Sequence, residues 1–347
     1  MRKKKAHAVY VPLKEAEQVR RYLKSHHLLR EDIKPLKENT HISFPINDDS
    51  KTLPFGTIVT KSFEPRLQKP QSYKDLLSLP KKQMEDLPTS YDIIGTHILI
   101  KLPDSLLKYQ NQIGAALLQA HKNIQTVCLA APVSGELRTR KVTVIAGKKQ
   151  TLTTHTEYGL FFDVDVATTY FSPRLASERN RIARLVTPGE IIVDLFAGVA
   201  PFSIMIARYA NPKIVYAIDK NKKAINLAKR NIKQNHVLDK VEPIHADATN
   251  VKKLIAVQVD RIIMNLPFSA YMFLSAALSV AAEKCILHYY DILRVEEREE
   301  RILLLKHTAE KHGYHLTVTS MRILKSYAPR EFYIGLDITA TKHADVA

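Results

Sequence analysis

Four polar residues each follow a short apolar run. Asp194 ends Ile191-Ile192-Val193, Asp219 ends the run from Ile214, Asp247 sits in His245-Ala246-Asp247-Ala248-Thr249, and Asn265 opens Asn265-Leu266-Pro267-Phe268. After Asp194 the chain turns through Ala197-Gly198 and enters a helical pattern near Pro201. A glycine turn at a helix start lets a ligand approach backbone N–H groups closely. A dinucleotide loop needs more glycines than the single Gly198, so a pyrophosphate reading is weak. Asp219 follows Asp194 by 25 residues, a spacing that suits a carboxylate accepting two ribose hydroxyls. Asp247 is placed to meet an adenine amino group. Taken singly, Asp194 or Asp219 could cap a helix and Asp247 could occupy a turn. Together, at the ends of four successive strands of an open α/β sheet, they read as an S-adenosylmethionine site.

Those residues need a parallel sheet to carry them. From Tyr170 onward, strand and helix alternate as in such a sheet. Strands are predicted at 191–196, 214–218, 241–245, 261–264 and 284–290. Helices are predicted at 201–209, 222–235 and 270–282, with a long charged helix over 295–312. Two last strands, 315–324 and 332–339, are close enough in sequence to pair antiparallel at an edge. Upstream, an α/β unit reads as strand 93–101, helix 103–121 and strand 124–130, then strand-like runs at 137–146 and 150–166, the second folded at Glu157-Tyr158-Gly159. The first 65 residues hold a strand at 8–11, a helix over about 14–28 with Val19, Tyr22 and Leu23 on one face, and a strand at 41–46. Pro65, Pro70, Pro80 and Pro88 mark a linker. Three domains are expected: 1–68, 69–169 and 170–347.

Composition narrows the class. The chain has 347 residues, 52 Lys and Arg against 35 Asp and Glu, and a net charge of +17. The excess is +7 over residues 1–70, +2 over 71–169 and +8 over 170–347. Such a basic chain usually meets a polyanion, most often nucleic acid; a lysine-rich solvated surface is the alternative. No run approaches the roughly 18 apolar residues of a membrane span, and the basic start lacks the apolar segment of a secretory signal. Cys128 and Cys285 alone make neither a disulfide framework nor a zinc site. A cytoplasmic monomer without a disulfide-linked or membrane partner is expected.

Longer motifs carry a resemblance. The carboxy-terminal half looks like a class I (Rossmann-like) S-adenosylmethionine methyltransferase, with a mainly parallel seven-stranded sheet. Five segments are more specific: 135–147 (GELRTRKVTVIAG), 151–159 (TLTTHTEYG), 168–186 (TTYFSPRLASERNRIARLV), 287–292 (LHYYDI) and 325–332 (KSYAPREF). All resemble the unknotted archaeal and eukaryotic tRNA guanine-N1 methyltransferases that act at position 37, beside the anticodon. The first 65 residues fit that family's small extra domain in size and layout. Ala200 stands where the family loop has a second glycine, and its methyl would crowd the approach or demand a negative φ. Phe268 leaves the substrate range open, because wyosine-pathway relatives differ around this motif.

The resemblance implies tRNA as substrate and S-adenosylmethionine as cofactor. It carries Glu178 over as general base and Arg138 as the partner of guanine O6. The chemistry agrees, since N1 must lose its proton before methylation and O6 then gains charge. Asn265 would offer its amide to the guanine edge, and Tyr170 would stack on the extruded base. The cofactor set extends to Phe196, Pro267 and Arg174. Blander readings stand beside these: an exposed salt-bridged Glu178, an Arg138 on a strand face pairing with Glu136, and Tyr170 in a core. Lys325 and Arg330 read equally as phosphate contacts or as a solvated edge. Two other functions remain open, a wyosine-pathway methyl or aminocarboxypropyl transferase and a non-catalytic RNA-binding protein. Glu178 with Arg138 argues against the first, and the intact acidic set argues against the second.

Overall fold

The computed structural model describes residues 3–47, 53–65, 72–132, 135 and 137–343. The chain packs as two compact units, residues 1–76 and 77–347. The first holds β1 (Lys4–Pro12), α1 (Ala16–Ser25), β2 (Leu36–Lys37), β3 (His41–Pro45) and β4 (Thr57–Phe63). The sheet runs β2-β3-β1-β4, all antiparallel. Val19 and Leu23 of α1 pack on Val9, Val11 and Phe44, the face expected from their spacing. Ala6, Ala8 and Phe63 close the opposite side with Ile33. The polar, alternating β4 had no sequence signal strong enough to be foreseen.

The second unit opens with α2 (Lys81–Glu85), β5 (Asp92–Ile94), β6 (His97–Ile100), α3 (Gln110–Ala120), β7 (Thr126–Ala130) and β8 (Val142–Gly147). The strands make a four-stranded mixed sheet in that order. The single strand expected over 93–101 is instead a hairpin, because Gly95 turns at φ 54°. A Cβ there would lie 2.3 Å from the Thr154 carbonyl oxygen, so only glycine fits. The strand expected from Leu137 starts at Val142. Before it, the Arg138 N–H turns back on the Gly135 carbonyl at 3.1 Å, with Arg138 at φ 51°.

A hairpin, β9 (Leu152–Glu157) and β10 (Leu160–Asp165), leads into α4 (Ala176–Leu185). Then follow β11 (Ile191–Asp194), α5 (Pro201–Tyr209), β12 (Ile214–Asp219), α6 (Lys222–Gln234), β13 (Val241–His245), α7 (Val251–Leu254), β14 (Val259–Met264), α8 (Leu274–Leu278), β15 (Ala281–Arg294), α9 (Arg298–Glu310), β16 (Tyr314–Ala328) and β17 (Glu331–Lys342). The seven strands from β11 order as β13-β12-β11-β14-β15-β17-β16. Five are parallel, and β17 inserts antiparallel between β15 and the edge strand β16. Both faces are covered: Ile192 joins the core of Phe202 and Ile206, and its neighbour Val193 joins that of Leu274 and Leu305. Buried β11 therefore reads as an unbroken apolar run up to Asp194, whereas β14 carries Asp260 and the buried Arg261. The helix expected over 270–282 is only a 3-10 turn and the short α8, because Ala281 and Ala282 already belong to β15.

Candidate active site

Strand order reverses between β11 and β14, and open α/β sheets bind ligands at the carboxyl ends of the strands beside such a switch. A cavity of about 130 Å³ lies there. Leaving β11, the chain is stitched to both neighbours: Leu195 N–H donates to the Ile263 carbonyl (3.1 Å) and Ala197 N–H to the Ile218 carbonyl (2.8 Å). Gly198 turns at φ 58° and its N–H donates to Asp219 Oδ2 at 2.6 Å. Ala200, expected to demand a negative φ, sits at φ 64° and precedes Pro201 at the start of α5. The turn geometry outweighs the unfavourable Cβ contact, and Ala200 is fully buried.

Asp219 lines the cavity, and its Oδ1 accepts the Asn221 N–H at 2.7 Å. Burial raises its pKa against those N–H contacts. Each oxygen keeps a lone pair for a hydroxyl donor. Asp247 also lines the cavity while capping the turn 248–250: Oδ1 accepts the Thr249 N–H (2.9 Å) and hydroxyl (2.8 Å), and Lys220 Nζ lies 3.0 Å from Oδ2. Those contacts, the Thr249 N–H first, hold its pKa below the usual value. Asp194 stands just behind the wall. Its Oδ2 accepts the Ser203 hydroxyl at 2.9 Å, while its buried Oδ1 has no partner among the described residues. Burial pushes its pKa up to about 7. Phe196 and Phe273 meet edge to face at 4.9 Å and give an apolar wall. A two-oxygen acceptor beside a glycine turn, a second carboxylate on the cavity wall and an apolar aromatic wall fit an adenosyl group. Asn221, which sequence reading did not single out, also lines the cavity and caps α6 by accepting the Lys223 N–H at 3.0 Å. Asparagine just before the helical run was its available signal.

Arg138, Tyr170 and Asn265 converge on the same cavity. Arg138 is not on a strand face: Nη1 donates to the Pro267 carbonyl at 2.7 Å, and its guanidinium lies 5.7 Å from the Tyr170 ring centre. Its buried Nε has no partner among the described residues; Glu136, the alternative partner, lies outside them. Tyr333, which sequence reading missed, donates its hydroxyl to Asn265 Oδ1. The Asn265 amino group is thereby left for a ligand.

A second cavity of about 360 Å³ shares Arg138 and Tyr170 with the first. Lys101, Arg140, Arg174 and Lys325 line it. Burial, then the cations of Arg174, Arg140 and Lys101, lower the Lys325 pKa against the pull of Asp92. Arg174 and Pro267, expected at the cofactor, line this basic cavity instead, with Arg174 paired to Asp92 at 2.7 Å. Arg174, in the turn Pro173–Leu175, is drawn to Asp92 of β5, and the Pro267 carbonyl is taken by Arg138. Arg330 sits in the β16–β17 turn, paired with Glu296.

Glu178 lines neither cavity. It is 5% exposed, not a solvated surface glutamate. Arg181 donates to both its oxygens (2.8 and 2.7 Å), and the Tyr290 hydroxyl donates to Oε1 at 2.9 Å. Burial works to raise its pKa, but Arg181, Tyr290 and Arg322 hold it below the usual glutamate value. Arg181 also grips Asp337, which accepts from Arg322 and lies 2.7 Å from His288 Nδ1. The Arg261 guanidinium donates to His288 Nε2 at 2.7 Å, so the proton sits on Nδ1 and the ring is neutral.

Family models match three stretches: the tRNA methyltransferase 5 N-terminal domain at residues 8–53, the TYW2 N-terminal domain at 73–151 and the TRM5/TYW2 methyltransferase domain at 153–317. The tRNA (guanine(37)-N(1))-methyltransferase Trm5b of Pyrococcus abyssi is 37% identical over 332 residues, covering 95% of this chain and 98% of that protein. The chain belongs to the archaeal-type tRNA (guanine-37, N1) methyltransferase family. A crystal structure of Trm5b from that organism superposes with a TM-score of 0.83 over 97% of this chain and 99% of the other. A complex of aTrm5 with tRNALeu superposes with a TM-score of 0.80 at 33% identity, over 96% and 99%. The tRNA(Phe) (4-demethylwyosine(37)-C(7)) aminocarboxypropyltransferase of Methanocaldococcus jannaschii is 38% identical over 207 residues, 59% of this chain and 81% of that protein. As a member of this family the chain is an S-adenosylmethionine-dependent methyltransferase. Among the described residues no helix is long and apolar enough to cross a membrane.

Proposed function

We propose that this enzyme methylates N1 of guanosine 37 in tRNA. The observation that carries the reading is Arg138, which lines both the adenosyl-type cavity and the basic cavity, with Nε unpartnered among the described residues. S-adenosylmethionine, when bound, supplies an electrophilic methyl group on a sulfonium. Asp219, Asp247 and the turn at Gly198 hold its adenosyl part. The basic cavity takes the RNA backbone, and an extruded base lies against Tyr170. Arg138 donates to O6 as N1 loses its proton, and its fixed charge stabilises the forming enolate. The Asn265 amino group, turned outward by Tyr333, adds a donor at the same edge of the base. Glu178 takes the N1 proton. Its lowered pKa keeps it ionised at neutral pH. Among the described residues its Oε2 accepts only the Arg181 Nε–H and keeps a lone pair for the N1 proton. Glu178 lines neither cavity, so the incoming nucleotide must open a path to it.

Mass-spectrometric nucleoside mapping of tRNA transcripts incubated with enzyme and labelled cofactor tests this directly. N1-methylguanosine at position 37, lost when another base stands there, is the expected product. Likeness to an aminocarboxypropyl transferase and to the TYW2 N-terminal domain favours a wyosine-pathway enzyme as the second reading. An aminocarboxypropyl adduct, or methylation only of a tricyclic base, would establish that reading and overturn the first.

A further inference from the structure

The loop from Asn265 to Phe268 has a backbone that its own residues do not favour. Phe268 is 43% exposed and sits at φ 72°, in the left-handed region that bulky side chains rarely enter. Such a conformation persists only when surrounding contacts over-determine it. Asp291, in β15, supplies them. Its Oδ1 accepts the Phe268 N–H at 2.8 Å and the Ile292 N–H at 2.8 Å. Its Oδ2 accepts the Tyr289 hydroxyl at 2.5 Å and is paired with Arg301. Arg301 is packed in turn over the Tyr271 ring, 4.1 Å from its centre. Asp291 is wholly buried and lines neither cavity.

The far side of the loop faces the chemistry. The Pro267 carbonyl, one residue before the Asp291 contact, accepts from Arg138. Asn265, three residues before it, points its amide at the cofactor cavity. A change in the path of Phe268 therefore moves the Arg138 anchor and the Asn265 amide together.

We propose that Asp291 is a positioning residue for methyl transfer: its carboxylate, held by Tyr289 and Arg301, fixes Phe268 and thereby the placement of Asn265 and of the Arg138 guanidinium. This rests on the reading that Asn265 and Arg138 act on the target base. In the Asp291→Asn variant one oxygen becomes a second donor facing Arg301 and Tyr289, so the carboxamide cannot satisfy all four donors. A misplacement of about 1 Å at reacting groups costs on the order of 10²-fold in rate. Single-turnover methyl transfer is expected to fall by about that factor, with S-adenosylmethionine affinity within about twofold of wild type. Arg301→Gln, nearer the surface, weakens the same clamp without touching the buried carboxylate and should give a smaller loss in the same rate.

The deciding measurement is a double-mutant cycle of Asp291→Asn with Asn265→Ala, repeated with Arg301→Gln. Residues acting through one another give losses well short of the product of the single losses. Multiplicative losses in both cycles, or cofactor affinity falling in step with rate, would show that Asp291 only supports the fold. If Asp291→Asn fails to fold, the Arg301→Gln cycle decides alone. Total labelled methyl transfer is the readout. A product other than N1-methylguanosine would thus sink the proposed function and leave the coupling between Asp291 and Asn265 measurable.

Discussion

Asp219 shows how a single side chain serves two partners. Its carboxylate braces the Gly198 turn through one N–H and the start of α6 through another, yet keeps lone pairs directed at the cavity. Asp219→Ala should weaken S-adenosylmethionine binding by roughly tenfold or more, since a hydrogen bond to a charged acceptor contributes about 1.5–3 kcal/mol. Calorimetry on the folded variant reads this, and an unchanged dissociation constant would remove Asp219 from the cofactor site. For Glu178, Gln preserves shape but cannot accept the proton, so turnover should drop by about 10²–10⁴ while tRNA binding holds. Its folded pKa is lowered, so the ionised form persists down through the ordinary value of 4.5. The stability of its Arg181 pair is accordingly present above pH 4.5 and lost as pH falls through the lower, folded value. The wild-type rate should then show no acid limb from this group at neutral pH. Wild-type single-turnover rates in Glu178→Gln at neutral pH would leave Glu178 a purely structural anchor for Arg181.

At the scale of elements, the β11–α5 connection is where tertiary contacts outweigh residue preference. Asn231 of α6, fully buried, donates to the Val199 carbonyl (3.1 Å) and accepts the Asp163 N–H of β10 (2.8 Å). One helix side chain thereby ties the cofactor turn to the β9–β10 hairpin. Ala200 is held in its left-handed conformation by that frame and by its own N–H on the Ala197 carbonyl, 2.8 Å away. A Cβ in this region costs roughly 1–2 kcal/mol, partly offset by the greater unfolded-state freedom of glycine. Ala200→Gly should therefore stabilise the enzyme by about 1 kcal/mol, read as a higher midpoint in urea at unchanged slope. A lower midpoint would mean that the buried Ala200 methyl packs better than it strains.

At the scale of the molecule, residues 1–76 form their own compact unit with its own small core, and residues 1–70 carry +7. Among the described residues, those that line the cofactor cavity fall between 137 and 273, within the second unit. The first unit is proposed to grip the tRNA body through phosphates and RNA shape. Removing it should leave S-adenosylmethionine affinity unchanged. Full-length tRNA should then bind more weakly and with a shallower salt slope, because fewer counterions are released. A short anticodon stem-loop should be methylated about equally by both forms. Affinity at several salt concentrations, for the full chain and for residues 77–347, measures this. Equal affinities and equal slopes would assign the amino-terminal unit to something other than RNA.

Local pattern alone was enough to place Asp194, Asp219, Asp247 and Asn265 at the ends of successive strands. Asp194, Asp219 and Asn265 follow runs of mostly buried β-formers that mark strands by composition alone, although β11 pairs with β12 23 residues on and with β14 69 residues on. The α5 start at Pro201 is likewise a local signal. The seven-stranded alternation was legible for the same reason. Family motifs in the sequence pointed to Arg138 and Glu178, but not to what surrounds them. Arg138 meets the Pro267 carbonyl across 129 residues of chain, Tyr333 meets Asn265 across 68, and Tyr290 meets Glu178 across 112. Such contacts leave no periodicity, because they form only after distant strands have taken their places in the sheet. The same holds for the burial of Glu178 in a charged helix, for the diversion of Arg174 to the basic cavity, and for Asp291. A carboxylate in an apolar strand is costly by itself, and only the folded sheet reveals that Arg301, Tyr289 and a strained Phe268 N–H are its reasons.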